Sequence, residues 1–232
     1  MKQLIMTALI TITVISSAFA QNRVSIGIEG ATLATGMINQ NPYGFNKLPV
    51  NKTSGSFQAI TIAYQLNSNL SLQSGVQYIN MGQNYLYLAD EDLFNNRNIT
   101  LKYVQLPIAI QNQLGEGALK FISGAGFSYS RLVSSEFEEN IDTTLGEGEN
   151  TMLRTMETNS DRFNKNQFSG NAFVGVLLQV SDRINVKATA LGNLGLTDVN
   201  ANEFKYEDAW ENPYKKTRNI NVGFSAGLQF KL

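Results

Sequence analysis

The sequence predicts an all-β fold, an eight-stranded antiparallel up-and-down transmembrane β-barrel. Three observations predict it. Apolar and polar residues alternate with period two in eight segments, as expected for strands whose two faces meet different surroundings. Short and long connections alternate between these segments. Charged residues are sparse within the segments and frequent between them.

Residues 1–20 have the organisation of a cleaved signal peptide. Lys2 supplies the positive start, residues 4–15 are an apolar stretch that is short for a membrane span, and Ala18-Phe19-Ala20 is a cleavage pattern. A retained amino-terminal anchor is the alternative, but no basic stop-transfer flank follows. We therefore expect an exported protein whose outer-membrane barrel domain comprises residues 21–232.

Every predicted strand places apolar residues at alternate positions of one face. The first four are residues 23–34 (Val24, Ile26, Ile28), 56–66 (Ile60, Ile62, Tyr64, Leu66), 70–81 (Leu70, Leu72, Val76, Tyr78) and 99–112 (Val104, Leu106, Ile108, Ile110). The last four are residues 118–132 (Leu119, Phe121, Ala125, Phe127), 166–180 (Phe168, Ala172, Val174, Val176), 184–196 (Ile184, Val186, Ala188, Ala190) and 218–232 (Ile220, Val222, Phe224, Leu228).

The connections strengthen the assignment. Tight turns are predicted at Asn67-Ser68-Asn69, Gly115-Glu116-Gly117 and Ser181-Asp182-Arg183. Long loops are predicted at residues 35–55, 82–98, 133–165 and 197–217. Outer-membrane barrels distribute periplasmic turns and extracellular loops in this order, whereas a soluble Greek-key sandwich has no reason to do so.

Charge placement predicts which face meets lipid. The eight segments contain 107 residues, and eight of these are charged: Arg23, Glu29, Lys102, Lys120, Arg131, Lys187, Arg218 and Lys231. A soluble barrel needs about 25–35% charge on its outer surface. We therefore expect the apolar face to meet lipid and the polar face to fill a narrow interior without a pore. The alternative is a secreted soluble barrel resembling lipocalins, with the apolar face inward around a small ligand.

Three finer expectations follow from this orientation. Glu29 should pair inside the barrel with at least one of Lys120, Lys187 and Lys231. Pro107 should mark a bulge or local irregularity, because it lacks a backbone donor. Lipid-facing aromatic residues should form two belts, with Tyr64, Phe121 and Phe230 near the periplasmic rim and Tyr78, Tyr129 and Phe168 near the outer rim.

Composition argues against catalysis. The chain has no histidine and no cysteine, which excludes Ser-His-Asp triads, His-Cys zinc sites, disulfides and thiol chemistry. Removing residues 1–20 leaves 17 basic and 19 acidic residues, so nucleic acid is not expected as a partner. We predict no enzyme activity, no cofactor, and no catalytic, cofactor-binding or metal-binding residue.

Several connecting segments have alternative interpretations. The eight acidic and three basic residues of 134–166 fit either calcium binding or a solvated surface. The segments GEGENT and GAGFSY resemble phosphate-binding loops, but neither opens a helix, and the glycines of GAGFSY relieve crowding inside a strand. Asp142-Thr143-Thr144 matches a short O-glycosylation motif. Trp210, Pro213 and Tyr214 could contact a partner or cap the barrel mouth.

The chain resembles a known family over about residues 23–232. LKYVQLPIAI is similar to the Tyr-Leu-x-Leu-Pro-Leu strand of PorT-like outer-membrane barrels of Bacteroidota, and FISGAGFSYSRLV to their following glycine-rich strand. FSGNAFVGVLLQVSDRINVKATALGNLGLTDV is similar to the next hairpin, with its Gly-Leu-Thr-Asp segment. The resemblance implies an eight-stranded barrel without a catalytic site; the namesake serves type IX secretion and gliding. Leu232 stands where the family usually ends in an aromatic residue.

The sequence thus predicts an integral outer-membrane protein of the cell envelope with a structural, adhesive or complex-forming role through its extracellular loops. An accessory or assembly factor for type IX protein secretion is the alternative. Expected partners are outer-membrane lipids and envelope or secretion-complex proteins, after insertion by the barrel-assembly machinery.

Overall fold

Ten strands form one closed antiparallel sheet in the described residues. The computed structural model describes residues 23–39, 50–90, 93–145, 149–158, 161–205 and 214–232. The strands are β1 (Val24–Ile38), β2 (Val50–Asn51), β3 (Thr53–Gln65), β4 (Leu70–Asp90), β5 (Leu93–Leu114), β6 (Leu119–Leu145), β7 (Glu149–Thr158), β8 (Asn166–Gln179), β9 (Ile184–Gly195) and β10 (Arg218–Lys231). One 3₁₀ turn, Asn202–Phe204, lies in the last long connection. No helix in these ranges is long and apolar enough to cross a membrane.

Eight of the ten strands close the barrel. Each of them pairs with its neighbour in the chain order β1, β3, β4, β5, β6, β8, β9 and β10, and β10 returns to β1. Following the paired residues around the barrel from Tyr64 leads through all eight strands and back to β3 at Ser54, ten residues from the start. This ten-residue stagger tilts the strands, as closure of a sheet requires. The predicted eight-stranded up-and-down barrel is confirmed.

The two faces of the barrel strands have the predicted orientation. The large apolar side chains of the alternating pattern are exposed on the outer surface, among them Ile60, Ile108 and Phe224. Their polar neighbours, such as Gln105 and Gln111, are buried inside. The outer surface is therefore suited to hydrocarbon and lacks the charged exterior that the soluble alternative requires.

Three short turns join strands at one end, which we call the turn end. Asn67 Oδ1 accepts hydrogen bonds from the backbone N–H groups of Asn69 and Leu70, and Ser181 Oγ accepts one from the Ile184 N–H. Gly115 and Gly117 adopt φ values of 113° and 86°, which glycine tolerates without steric cost. Local chemistry thus fixes the three turns where the sequence predicts them.

The opposite end, the extension end, corrects three loop predictions. Within 35–55, residues 35–38, 50–51 and 53–55 belong to β1, β2 and β3. Residues 82–98 are largely strand, because β4 and β5 continue as one ladder to the Asp90–Leu93 pair. Residues 133–165 contain the end of β6 and all of β7, which pair from Glu136–Thr158 to Leu145–Glu149. Beyond the barrel, β4, β5, β6 and β7 therefore form a four-stranded sheet, the extension sheet. The short strand β2 pairs with β4 at Tyr85.

A β-bulge marks where β6 passes from barrel to extension sheet. The β5–β6 register changes between the pairs Tyr103–Leu132 and Lys102–Ser134, which leaves Val133 without an opposite residue. Before the bulge the even-numbered residues of β6 face inward, and after it Ser135 and Phe137 are buried. The extra residue therefore exchanges the two faces of β6.

Pro107 lies in the barrel without a bulge. It stands opposite Ser128 in β6, while its ladder with β4 skips from Ser74–Ile108 to Gln77–Gln105 in an unchanged register. Ser74 Oγ donates a hydrogen bond to the Pro107 carbonyl oxygen at 2.9 Å. The predicted local irregularity is confirmed, and it takes the form of an interrupted ladder.

The sequence predicts a polar interior, and this prediction is wrong for part of the barrel. A cluster of buried apolar side chains fills it toward the extension end: Leu33, Met37, Phe57, Ala59, Ile79, Met81, Tyr85, Ile99, Leu101, Tyr103, Phe137, Phe163 and Val199. Polar inward residues dominate toward the turn end. We call the apolar cluster the plug. The same inward faces that are polar at one end of the barrel are apolar at the other.

Candidate functional site: the plug and the extension sheet

Phe137 joins the extension sheet to the plug. The β6 bulge turns this residue inward, where its side chain is 2% exposed. The Cζ atoms of Arg97 and Arg162 lie 5.7 Å and 4.7 Å from the centre of its ring, and Arg162 also lies 5.2 Å from the Phe204 ring. Cation–π contacts of this kind strengthen when they are removed from water. The ring therefore links β5, β6 and the segment after β7.

Carboxylates hold both arginines in place. Arg97 donates from Nη2 to Glu139 Oε1 at 2.5 Å, and the side chains of this pair are 6% and 18% exposed. Arg162 donates to both carboxylate oxygens of Glu157 at 2.8 Å, a bidentate geometry that fixes the guanidinium plane. Acidic residues of the 134–166 segment thus pair with cations. In the described residues no group of three or more acidic side chains is arranged to hold a metal ion.

Asp198 organises the last long connection at the extension end. Its Oδ1 atom accepts hydrogen bonds from the backbone N–H groups of Asn200 and Thr217 at 3.2 Å and 3.1 Å. The Tyr214 hydroxyl donates to the same carboxylate at 2.9 Å, and Lys205 lies 3.4 Å from it. The buried residue Asn200 closes the arrangement by donating to Thr217 Oγ1 at 3.0 Å. One carboxylate therefore fastens both ends of this connection together.

Tyr214 belongs to this cluster, and the two roles that the sequence left open for it, contact with a partner and capping of the barrel mouth, stay predictions. Partial burial raises the pKa of its hydroxyl above the usual value, and the hydrogen bond from Asn200 opposes this shift. The hydroxyl therefore stays protonated and donates to Asp198 over the physiological pH range. Trp210 and Pro213 lie outside the described residues.

The polar half of the interior contains the predicted ion pair. Lys187 Nζ lies 3.4 Å from Glu29 Oε2, and both side chains are nearly buried. Ser225 Oγ donates to Glu29 Oε1 at 2.5 Å and is 2.5 Å from Thr189 Oγ1. The Phe173 ring covers the ammonium at 4.8 Å. The expectation that Glu29 pairs with an interior lysine is confirmed, with Lys187 as the partner.

A small cavity separates this ion pair from the plug. It has a volume of about 80 Å³, and Gln105, Asn221, Phe57 and Ile79 are among its lining residues. Gln105 Oε1 and the Asn221 amide have no partner among the described protein groups. The space suits a few ordered water molecules, because a cavity of at least about 10–15 Å³ is enough to hold one. The cavity is too small to serve as an open channel.

Glycine residues make room for the interior side chains. A Cβ atom at Gly124 would overlap the Phe173 ring, and one at Gly126 would overlap the Ile108 carbonyl oxygen. The interpretation that the Gly-Ala-Gly segment relieves crowding within a strand is confirmed. Asp142, Thr143 and Thr144 lie in β6, but their side chains are outside the described part of the structure, so the glycosylation motif stays a prediction.

The outward aromatic residues lie on the predicted face. Tyr64, Phe121 and Phe230 are exposed in the turn half of the barrel, and Tyr78 and Phe168 are exposed toward the extension end. The Tyr129 and Phe168 rings are 5.4 Å apart. Sequence reasoning missed the plug and the extension sheet. The available signal was the apolar set Ile79, Met81, Ile99 and Leu101, which lies in the opposite phase to the rest of β4 and β5.

Comparison with known proteins gives distant structural likeness. No protein-family model and no curated protein matches the chain. Neisserial surface protein A is similar, with 15% identity, a TM-score of 0.47 and coverage of 90% of this chain and 97% of that chain. OprG from Pseudomonas aeruginosa has 10% identity, a TM-score of 0.48 and coverage of 90% and 95%. Ail of Yersinia pestis has 10% identity, a TM-score of 0.38 and coverage of 89% and 98%. The assignment of a transmembrane barrel rests on the geometry described above.

Proposed function

We propose that this protein is an outer-membrane barrel that binds other envelope proteins through its extension sheet and has a non-catalytic, complex-forming role. The observation that carries the proposal is the continuation of β4, β5 and β6 beyond the barrel as a sheet with its own buried contacts around Phe137. Binding residues are most useful when a rigid scaffold positions them. The turn end then faces the periplasm and the extension end faces the outside of the cell.

The interior supports a role other than transport. The plug fills the extension half, and the ion pair of Glu29 with Lys187 crosses the polar half. An eight-stranded barrel has an interior just wide enough for side chains. We expect a purified, bilayer-inserted protein to conduct no ions, and steady single-channel currents would contradict this part of the proposal.

Met156 is a position on the extension sheet at which binding can be tested. It lies on β7 opposite Glu138, and 61% of its surface is exposed. Contact with water does not stabilise this apolar side chain. Large side chains that become buried at interfaces carry much of the binding energy. Met156→Arg should therefore weaken the binding of a partner without disturbing the barrel.

Copurification from native membranes tests the proposal. The tagged full-length protein should retain a stoichiometric partner, and Met156→Arg should lower its recovery severalfold. Ser68→Arg adds the same charge in the turn at the opposite end and should leave recovery unchanged. A protein that is recovered alone after mild cross-linking would contradict a complex-forming role.

A narrower candidate is a PorT-like accessory or assembly factor for type IX secretion. The resemblance of the 101–110 strand and of the Gly195–Asp198 segment supports it. Asp198 has a structural role in that segment, because its carboxylate anchors the last connection through Thr217 and Tyr214. Stoichiometric recovery of secretion-complex proteins would favour this candidate, and recovery of unrelated surface proteins would favour the broader role.

A further inference from the structure

Arg131 is a cation on the outward face of the barrel. Odd-numbered residues of β6 face outward before the bulge, so Arg131 follows Phe127 and Tyr129 on the surface that meets lipid, and its side chain is exposed. It is the last outward residue before the β5–β6 register shift. The guanidinium therefore stands at the boundary between the apolar wall and the polar extension sheet.

Hydrogen bonds orient this guanidinium without neutralising it. Asn166 lies directly opposite Arg131 on β8, and its Oδ1 atom accepts hydrogen bonds from Tyr129 Oη at 2.8 Å and from Arg131 Nη1 at 3.4 Å. Arg131 makes no ion pair with any residue that the structure describes. A guanidinium has five N–H donors, so most of them remain available to an acceptor from outside the protein.

A second cation belongs to the residue that precedes Asn166 in the chain. The backbone N–H of Leu132 donates to the Lys165 carbonyl oxygen at 2.7 Å, so the backbone of Lys165 lies beside that of β6 one residue after Arg131. Its ammonium is 3.7 Å from Asp161, and both side chains are largely exposed. Exposed pairs of this kind contribute little and leave the charge accessible to another partner.

Lys102 is a second outward cation at the same rim, and it has an acidic partner. Lys102 also faces outward, in the Lys102–Ser134 pair, which is two pairs beyond the Val104–Arg131 pair across the bulge. Its Nζ atom donates to Glu136 Oε1 at 2.8 Å, so an acidic neighbour balances its charge. Among the residues that the structure describes, Glu136 balances Lys102 and no carboxylate pairs with Arg131.

The surroundings fit one class of ligand. Phe168 and Tyr129 lie immediately below Arg131, toward the apolar wall, at the depth where aromatic side chains meet lipid headgroups. Farther along β8, Gly170 and Ala172 are small, and an apolar groove crosses the wall at Ala172 and its β6 partner Ala125. A phosphate bound by the cations would therefore sit above a surface that an acyl chain can cover.

We propose that Arg131, Lys165 and Asn166 bind the phosphate of a membrane lipid headgroup in the leaflet at the extension end. Arg131 supplies paired N–H donors to the phosphate oxygens, Lys165 adds a second positive charge, and the Asn166 side chain holds the guanidinium. This specific site goes beyond the general contact of the barrel wall with lipid. It requires no protein partner, so its test is independent of the complex-forming role.

Native mass spectrometry of the full-length protein in a neutral detergent tests the site. The probes are phosphatidic acid, a diacylglycerol with the same acyl chains, and inorganic phosphate. Arg131→Gln should weaken phosphatidic acid binding about tenfold, the factor that corresponds to ~1.4 kcal/mol for one charge-assisted hydrogen bond. Lys102→Gln, the matched control, removes a charge of the same sign at the same rim and should leave the affinity within about twofold, because Glu136 already balances that lysine.

Three outcomes would overturn the proposal. The first is binding of phosphatidic acid by Arg131→Gln with the affinity of the wild type. The second is binding of diacylglycerol as tightly as phosphatidic acid, and the third is displacement of the lipid by inorganic phosphate at equal concentration. The first result would show that Arg131 does not bind the lipid, and the second that the phosphate is not recognised. The third would show that the site binds small anions. Retained heat-modifiable mobility on gels confirms that each variant is folded. If Arg131→Gln does not fold, Arg131→Lys replaces it in the test. This variant keeps the positive charge but loses the paired N–H donors of the guanidinium, so its affinity should be intermediate.

Discussion

The turn half and the extension half of this barrel are built from the same strands, but in β3, β4 and β5 their side-chain patterns are opposite. In the turn half Ile60, Val76 and Leu106 face outward, and their polar neighbours face inward. In the extension half Ile79, Ile99 and Leu101 face inward, and the outward positions of the same strands include Asn80, Thr100 and Lys102. The change from one pattern to the other occurs within β3, β4 and β5.

The difference shows that the surroundings of a strand decide which face is apolar. Hydrocarbon covers the outward face in the turn half, so the inward face needs only paired polar groups. Beyond the membrane, water covers the outward face, and the strands gain stability by burying apolar side chains inside. The β6 bulge at Val133 brings Phe137 to the buried face at this transition. The plug is thus the core of a soluble sheet that continues from a membrane barrel.

The largest expected effect lies in the polar half. Glu29→Gln should lower the free energy of unfolding by about 3–5 kcal/mol, because it leaves the charge of Lys187 buried without its partner. Glu29→Gln combined with Lys187→Met should recover most of this loss. Denaturant titration of the vesicle-inserted protein measures both. Equal losses in the single and double variants would show that the two residues do not act as a pair.

The plug should respond almost as strongly. Phe137→Ala should cost about 3–4 kcal/mol, since it leaves a cavity between two guanidinium groups. Phe127→Ala, at an outward position that is 69% exposed, should cost less because lipid fills the vacated space. Hydrogen exchange should increase in the extension sheet of the first variant and stay unchanged there in the second. The same response in both would contradict separate cores for the two halves.

A charge placed on one face of β5 should distinguish lipid from water. Ile108→Lys should destabilise the inserted protein by about 2–4 kcal/mol, the cost of a cation near the bilayer midplane. Thr100→Lys lies eight residues away on the same face and opposite Glu136, so it should change stability by no more than about 0.5 kcal/mol. Urea unfolding in vesicles compares the two. Equal costs would remove the boundary between the halves.

The smallest expected effect concerns the last connection. Asp198→Asn should cost about 1–2 kcal/mol, because the hydrogen bonds from Thr217 and Tyr214 lose their charge assistance. Asp161→Asn, whose partner Lys165 is 3.7 Å away on an exposed surface, should change stability by about 0.5 kcal/mol or less. Hydrogen exchange at Thr217 reports the difference. Unchanged protection in Asp198→Asn would show that the carboxylate does not anchor this segment.

The sequence predicts the barrel half well because one rule, apolar outward and polar inward, governs every strand there. That rule identifies all eight barrel strands, their turns and the pairing of Glu29. It misassigns residues 82–98 and 133–165 as loops, because the phase of the alternation reverses where the strands leave the lipid. In β6 the extra residue Val133 reverses the phase of the alternation a second time. The network around Asp198 joins residues distant in the chain, and no local pattern reports such contacts.

Nitroxide scanning along β5 tests the central claim most directly, because the chain has no cysteine and single cysteine variants can be labelled cleanly. In the vesicle-inserted protein, labels at Leu106, Ile108 and Ile110 should collide with oxygen dissolved in the bilayer and be protected from a water-soluble nickel complex. Labels at Asn98 and Thr100, on the same face of the same strand, should collide with the nickel complex. Nickel access at Leu106, Ile108 and Ile110, or oxygen access without nickel access at Asn98 and Thr100, would contradict the reversal of surroundings between the two halves.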